Sequence, residues 1–208
     1  MDEDVAQLKR EWRRRGRQAR ADRRARRHRL DADRTRAALA SLAGVETVCT
    51  YLSCGDEPGT LDLARELHQR GARVLVPVLT DGHGHGLGRP AWGWYDPDAL
   101  RLGLWGIPEP NGTLLEVGAI GEAQVVLCSA LWVDRQGYRV GVGGGWYDRA
   151  LGSRRPGASV WAVVDDEDVV DRVPREPWDV PVDAVLTPSG LRTPVAAPSA
   201  YGMDGDFS

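Results

Sequence analysis

Cysteine is scarce: Cys49, Cys54 and Cys128 are the only three in 208 residues, odd in number and unevenly spaced. That spacing excludes a disulfide framework and a zinc knuckle, and leaves reduced, mostly packed thiols. No apolar run approaches the roughly 20 residues a bilayer-crossing helix needs. The opening MDEDVAQLKREWRRRG lacks the apolar centre of a secretory signal, so a cytoplasmic protein with no membrane partner is expected. Histidine is also sparse. His83 and His85 sit between glycines in GHGHG, which reads as a solvent loop rather than a metal site, and His28 and His68 lie in polar helical contexts. Ser53 has no partnered base that the sequence reveals, so a hydrolase triad is unsupported.

A net charge of −3 conceals an asymmetry. Between Lys9 and Arg29 the chain carries 12 Lys or Arg against only Glu11 and Asp22, a local charge of +10 that makes one end a cationic arm. Val5, Leu8 and Trp12 recur at helical steps and give the first helix a narrow apolar stripe, with Lys9 and Arg13 one turn apart on a neighbouring face. A second helix is expected from about residue 34 to 43, after an aspartate cap and before Gly44. VETVCTYL (45–52) reads as a strand, LDLARELHQR (61–70) as a helix closed by Gly71, and ARVLVPVL (72–79) as a strand covered on both faces.

Strand, helix and strand in close succession suggest a right-handed parallel unit. The stretch 80–110 is rich in Gly, Trp and Pro, with a short strand in WGWYD and a turn in LWGIPEP. AQVVLCS (123–129), ASVWAVV (158–164) and VDAVLTP (182–188) supply further buried strands. The expected fold is α/β: one domain over residues 1–190, an open, mostly parallel, Rossmann-like three-layer sheet flanked by helices, led by a basic helix. Residues 191–208 turn to Pro, Ala, Ser and Gly and are expected to form a tail.

The densest signal is DRQGYRVGVGGGWYDRAL (134–151). At the carboxyl ends of strands in such a sheet, a glycine-rich bend leading into a helix offers backbone amides to an anion. On the glycines alone, a hairpin turn with no ligand reads equally well. Neither the dinucleotide fingerprint nor the Lys-Ser/Thr ending of a P-loop is present. The stretch resembles the signature of the 5-formyltetrahydrofolate cyclo-ligase family, also called 5,10-methenyltetrahydrofolate synthetases: Asp134, Gly137, Arg139, Gly141, Gly143, Gly145, Tyr147 and Asp148 occupy its positions. KREWR is similar to the family's Lys-x-x-x-Arg, and YLSCGDEPGT to its strand-end Ser, Glu and Thr, here Ser53, Glu57 and Thr60. LVPVL, WGIPEP and DDEDVVDRVPREPWDVPVDAVLTP also match in order, so the resemblance spans residues 8–188. Trp146 replaces a common tyrosine, Val142 and Gly144 replace positions basic in some members, and Trp178 stands where a histidine is frequent.

The resemblance implies ATP-dependent closure of 5-formyltetrahydrofolate to 5,10-methenyltetrahydrofolate, with ATP and Mg²⁺ as cofactors and a reduced folate as partner. Lys9 and Arg13 would meet the nucleotide phosphates, joined by Arg139, Gly141, Gly143, Gly144, Gly145, Trp146 and Tyr147. Asp148 and Asp183 would hold magnesium. Leu52, Glu57, Trp105 and Tyr147 would receive the folate, with Lys9, Glu57 and Tyr147 closest to the chemistry and Arg139 more a brace for the loop. A monomer or weak dimer is expected. Two rivals stand beside this reading: a non-catalytic relative that binds folate or nucleotide, and a nucleic-acid binder whose Arg-rich helix tracks phosphates.

Overall fold

The computed structural model of the chain describes residues 2–195, and the end of the expected tail, 196–208, lies outside them. The chain opens with helix α1 (Asp2–Asp22), passes through a 3₁₀ turn at Arg24–Arg26 and continues as α2 (Arg27–Ser41). Helix α2 starts a full turn or more before the expected residue 34, because Arg27 and Arg34 are drawn onto buried carboxylates. Then follow β1 (Thr47–Cys49), α3 (Leu61–Gln69), β2 (Arg73–Pro77), β3 (Trp92–Trp94), β4 (Leu100–Leu102) and β5 (Pro108–Pro110). After these come β6 (Val125–Ser129), β7 (Trp132–Asp134), β8 (Arg139–Val140), α4 (Trp146–Leu151), β9 (Ser159–Val163), β10 (Val169–Val170), β11 (Ala184–Thr187) and β12 (Gly190–Arg192). The turn expected at LWGIPEP holds a strand, since Pro108–Pro110 pairs antiparallel with β4. Leu191 and Arg192 likewise pair with β11, beyond the boundary placed at residue 190.

The central sheet has the order β12-β11-β9-β6-β1-β2-β3. Its inner five strands are parallel, and the two edges, β3 and β12, are antiparallel. The Val-rich inner strands bury both faces, which is why they read as continuous apolar runs rather than alternating ones. On one face Ala38, Leu42, Leu63 and Leu67 pack on Val48, Val76, Leu127 and Val163. On the other, Ile120, Ala150 and Leu151 pack on Cys49, Leu75, Cys128 and Val160. Connections run one way from β1 to β2 and β3, and the other way from β6 to β9, β11 and β12. The order therefore reverses between β1 and β6, the place where such sheets bind ligands. Among the described residues no helix is long and apolar enough to cross a membrane.

Helix α1 overturns one expectation. Leu8 of the apolar stripe is 40% exposed, while Lys9, Gly16, Arg20 and Arg23 form the buried face. These positions follow helical spacing, so the inward stripe is cationic. Trp12 packs edge-on against Trp132 at 5.5 Å, and the Trp132 indole N–H donates to the Trp12 carbonyl at 2.9 Å. Gly16 permits that approach, because a Cβ there would lie 2.7 Å from the Trp132 indole nitrogen.

The far end of the arm meets acid. Asp165 and Asp168, completely buried just past β9, receive Arg23: Nε to Asp165 at 2.8 Å and Nη2 to Asp168 at 2.6 Å. Arg27 reaches both oxygens of Asp165 at 3.1 Å, and Arg34, itself buried, donates to Asp165 as well. Burial raises the Asp168 carboxyl above its ordinary range, and the Arg23 guanidinium opposes that rise. Farther out, Arg24 pairs with Asp56 and Arg26 with Glu167. Part of the basic run is thus engaged internally, on carboxylates of the same chain.

His83 and His85 are exposed, although Asp81 partners the His85 ring at 3.0 Å. Cys49 and Cys128 are fully buried, and burial pushes both thiols up, whereas Cys54 is half-buried.

Two outcomes follow from this packing. Asp165→Ala takes a buried carboxylate partner from three arginines and is expected to cost about 3–5 kcal/mol of stability in urea unfolding, whereas Arg24→Ala, at an exposed pair, leaves the midpoint nearly unchanged. In thiol titration with Ellman's reagent, Cys54 reacts in the native protein and Cys49 and Cys128 react only after denaturation.

Candidate functional site

A cavity of about 1070 Å³ opens over the carboxyl ends of β1 and β6. Three segments far apart in sequence wall it. The loop after β1 brings Leu52 and Glu57, helix α1 brings Lys9 and Arg13, and the glycine bend between β8 and α4 brings residues 141–148. The β4–β5 hairpin adds Trp105, and the stretch before β11 adds Glu176, Trp178 and Asp179. The structure therefore gathers every expected site residue around one cavity except Asp183.

The glycine bend is held by its carbonyls. Arg13 Nε donates to Gly141 O at 3.2 Å, Arg17 Nη2 to Val142 O at 2.9 Å and Arg149 Nη1 to Gly144 O at 3.1 Å. Among the described residues none accepts a hydrogen bond from the amides of residues 142–145. Arginines thus occupy the acceptors and leave a set of donors, the arrangement an anion requires. Gly143 at φ +114° and Gly145 at φ +60° take backbone that a side chain would strain, and a Cβ on Gly143 would touch Arg13 at 3.4 Å. Arg139 braces the bend from the other side, donating to Asp148 and to Val180 O at 3.2 Å.

Lys9 is the only lysine in the chain. Its ammonium donates to Glu176 at 2.6 Å and to Asp179 at 2.7 Å. Burial by itself would lower its pKa, but the hydrogen bonds it donates to Asp179 and Glu176 prevail and hold it above its ordinary value. An ammonium has three protons, so one donor remains for a ligand. Neither carboxylate was singled out from the sequence, although both lie in the REPWDVP block.

Glu57 is oriented by groups the sequence did not reveal. Ser129 Oγ donates to Glu57 Oε1 at 3.0 Å, and the Cys54 amide donates to Oε2 at 3.2 Å. Arg20 stands 3.9 Å from Oε1 and donates to Ala130 O at 2.6 Å and Ser129 Oγ at 3.3 Å. The only sequence cue to Arg20 was its place eleven residues after Lys9, three helical turns along the same face.

The aromatic residues divide. Trp105 lies on the hairpin at φ +57° with 82% of its surface exposed, and its carbonyl accepts from Cys54 Sγ at 3.8 Å. Tyr147 is less free than expected. Its hydroxyl donates to Leu127 O at 3.3 Å, its ring meets Trp146 edge-on at 5.0 Å, and burial pushes its hydroxyl pKa well up. The Trp146 ring packs edge-on against Trp92 at 4.7 Å.

The expected metal pair is not assembled. Asp148 lines the cavity with its carboxylate 71% exposed beyond Arg139. Asp183 instead caps the start of β9, accepting from the Val160 amide at 2.7 Å, and lines a separate depression with residues 154–159. The backbone contact between Asp183 N and Val160 O at 2.8 Å fixes it there. No group of three or more His, Cys, Asp or Glu able to hold a metal occurs among the described residues. Of the expected pair, Asp148 remains at the cavity as a hard oxygen donor suited to Mg²⁺, which takes one or two carboxylates and completes its shell with phosphate and water.

Comparison with known proteins agrees with this architecture. The chain is 45% identical over 143 residues to the 5-formyltetrahydrofolate cyclo-ligase of Mycolicibacterium smegmatis, covering 68% of this chain and 73% of that one. It is 32% identical to the Escherichia coli enzyme of the same name, covering 69% and 78%. In three dimensions it resembles the NMR structure of Aquifex aeolicus 5,10-methenyltetrahydrofolate synthetase, with TM-score 0.75 at 24% identity over 95% of this chain and 98% of that one. The Mycoplasma pneumoniae synthetase is similar at TM-score 0.65 and 17% identity, covering 86% and 98%. With a family model matching residues 2–188, the chain belongs to the 5-formyltetrahydrofolate cyclo-ligase family.

Proposed function

We propose that this chain closes 5-formyltetrahydrofolate to 5,10-methenyltetrahydrofolate at the expense of ATP, releasing ADP and phosphate. The observation that carries the reading is the meeting of a cationic helix face with an amide-rich bend over a carboxylate-lined cavity, anchored by Arg13 on Gly141. A formyl oxygen on nitrogen is a poor leaving group. Transfer of the γ-phosphoryl group to that oxygen makes it a good one; the neighbouring folate N–H nitrogen then bonds to the formyl carbon, releasing its proton to water, as the C–O bond breaks and phosphate departs.

Such a sequence asks for positioning and charge neutralisation rather than a protein nucleophile. In this chain the amides of residues 142–145, Arg13 and the remaining Lys9 proton receive the phosphates. Asp148 offers the carboxylate for Mg²⁺, which when bound neutralises phosphate charge. Glu57, held by Ser129 and Cys54, faces the reduced folate, Leu52 lines its pocket and Trp105 lies over its flat ring. Tyr147 contributes wall rather than proton transfer, as its hydroxyl is engaged by the sheet backbone.

The direct test follows the near-ultraviolet absorbance of the methenyl product with and without ATP. Growth of the band that needs both ATP and magnesium is expected, and a flat trace with intact ligand binding leaves a non-catalytic relative instead. Lys9→Ala and Asp148→Ala are each expected to lower turnover more than about tenfold. Asp148→Ala also raises the magnesium concentration needed, while Asp183→Ala leaves that requirement unchanged and lowers thermal stability. Ser129→Ala, which frees one oxygen of Glu57, is expected to raise KM for the folate several-fold with little change in KM for ATP.

A further inference from the structure

Two indoles on the cavity wall are largely exposed, Trp105 at 82% and Trp178 at 65%. The reaction proposed above brings two flat heterocycles into that cavity, a pterin and an adenine. Trp105 stands on the folate side, tied through its carbonyl to Cys54, three residues before Glu57. Trp178 lies next to Asp179, one of the carboxylates on Lys9. It occupies the third position of a tight turn, 176–179, closed by the Asp179 amide donating to Glu176 O at 3.0 Å and by the Glu176 amide donating to Asp179 Oδ2 at 2.8 Å. Both carboxylates of that turn are gripped by Lys9, at 2.6 and 2.7 Å. The residue assigned to the phosphates is thus also the clip that holds Trp178 in place.

We infer that Trp178 is the stacking platform for the nucleotide base, presented by a turn that Lys9 clips to the first helix. The inference rests on the ATP-dependent reading and extends it to a specificity-determining residue. A triphosphate spanning the glycine bend and Lys9 places its base beyond Lys9, at the turn Lys9 holds. A large apolar ring left in solvent on such a turn gains by covering a flat partner, and base–indole stacking is sequence-tolerant but strong enough to be measured. The clip also explains why an ammonium at a phosphate site carries two carboxylates: they fix the turn while one proton stays free.

Isothermal titration of the full chain with ADP, with inorganic diphosphate and with 5-formyltetrahydrofolate tests this. Trp178→Ala is expected to weaken ADP about tenfold or more, and to leave diphosphate and folate affinities within about twofold. Trp178→Phe, which keeps a ring, retains ADP affinity within about threefold. Unchanged ADP affinity in Trp178→Ala overturns the inference, as does an equal loss for diphosphate, which would place the effect on the Lys9 clip, or a loss confined to folate. Because Trp178 is exposed, circular dichroism of the variant is expected to match the native chain. A native chain that binds folate but neither ADP nor ATP overturns the nucleotide reading itself, and the platform with it; native ADP binding that survives Trp178→Ala overturns the platform alone.

Discussion

Everything at the cavity depends on seating a strongly basic helix against a sheet. The contact that secures it is buried and ionic: Asp165 receives Arg23, Arg27 and Arg34, and Asp168 receives Arg23 a second time. Charges removed from water are costly unless each is met, and here three guanidinium groups converge on two carboxylates just beyond the end of β9. Because the partners lie more than a hundred residues away, the ion pairs fix both the direction of α1 and the start of α2. The helix then places Arg20 behind Glu57 and delivers Arg13 and Lys9 to the cavity.

That delivery explains the division of labour along one helix face. Near its end the face is structural, with arginine on aspartate. At Arg20 it turns to orientation, sharing Ser129 with Glu57. At Arg13 and Arg17 it holds the carbonyls of the glycine bend, and at Lys9 it holds the turn beneath Trp178. A single amphipathic logic applies throughout, but the stripe is cationic rather than apolar, and Trp12 with Gly16 supplies the close packing on Trp132. The departures in the bend itself fit the same scheme: Val142 and Gly144 bring no charge of their own, and the arginines that secure their carbonyls come from α1 and α4.

The topology supplies the remaining constraint. Strand order reverses between β1 and β6, so the loops leaving those strands diverge and open a cleft. Glu57 enters from one loop and Ser129 from the end of the other strand, 72 residues apart in sequence and 3.0 Å apart in space. Glu109, of the WGIPEP stretch, anchors the flap that carries Trp105: buried, it accepts from the Leu79 amide at 2.7 Å and from Arg101 at 3.1 Å, and also binds Thr80.

The sequence by itself determined the parallel α/β class, because Val-rich runs separated by a helix leave few other ways to bury both faces. It also marked the glycine bend itself, since positive φ at Gly143 and Gly145 is a local property of the chain. Only the tertiary structure decided which groups meet. Lys9 and Glu176 are 167 residues apart, and no local periodicity encodes their contact. Asp148 and Asp183 look equivalent as letters, yet register places Asp183 at the amino end of its strand, where the Val160 amide claims it. Partners of this kind are set by strand pairing and helix docking, which sum over the whole fold, whereas helix, strand and bend are written within a few neighbouring residues.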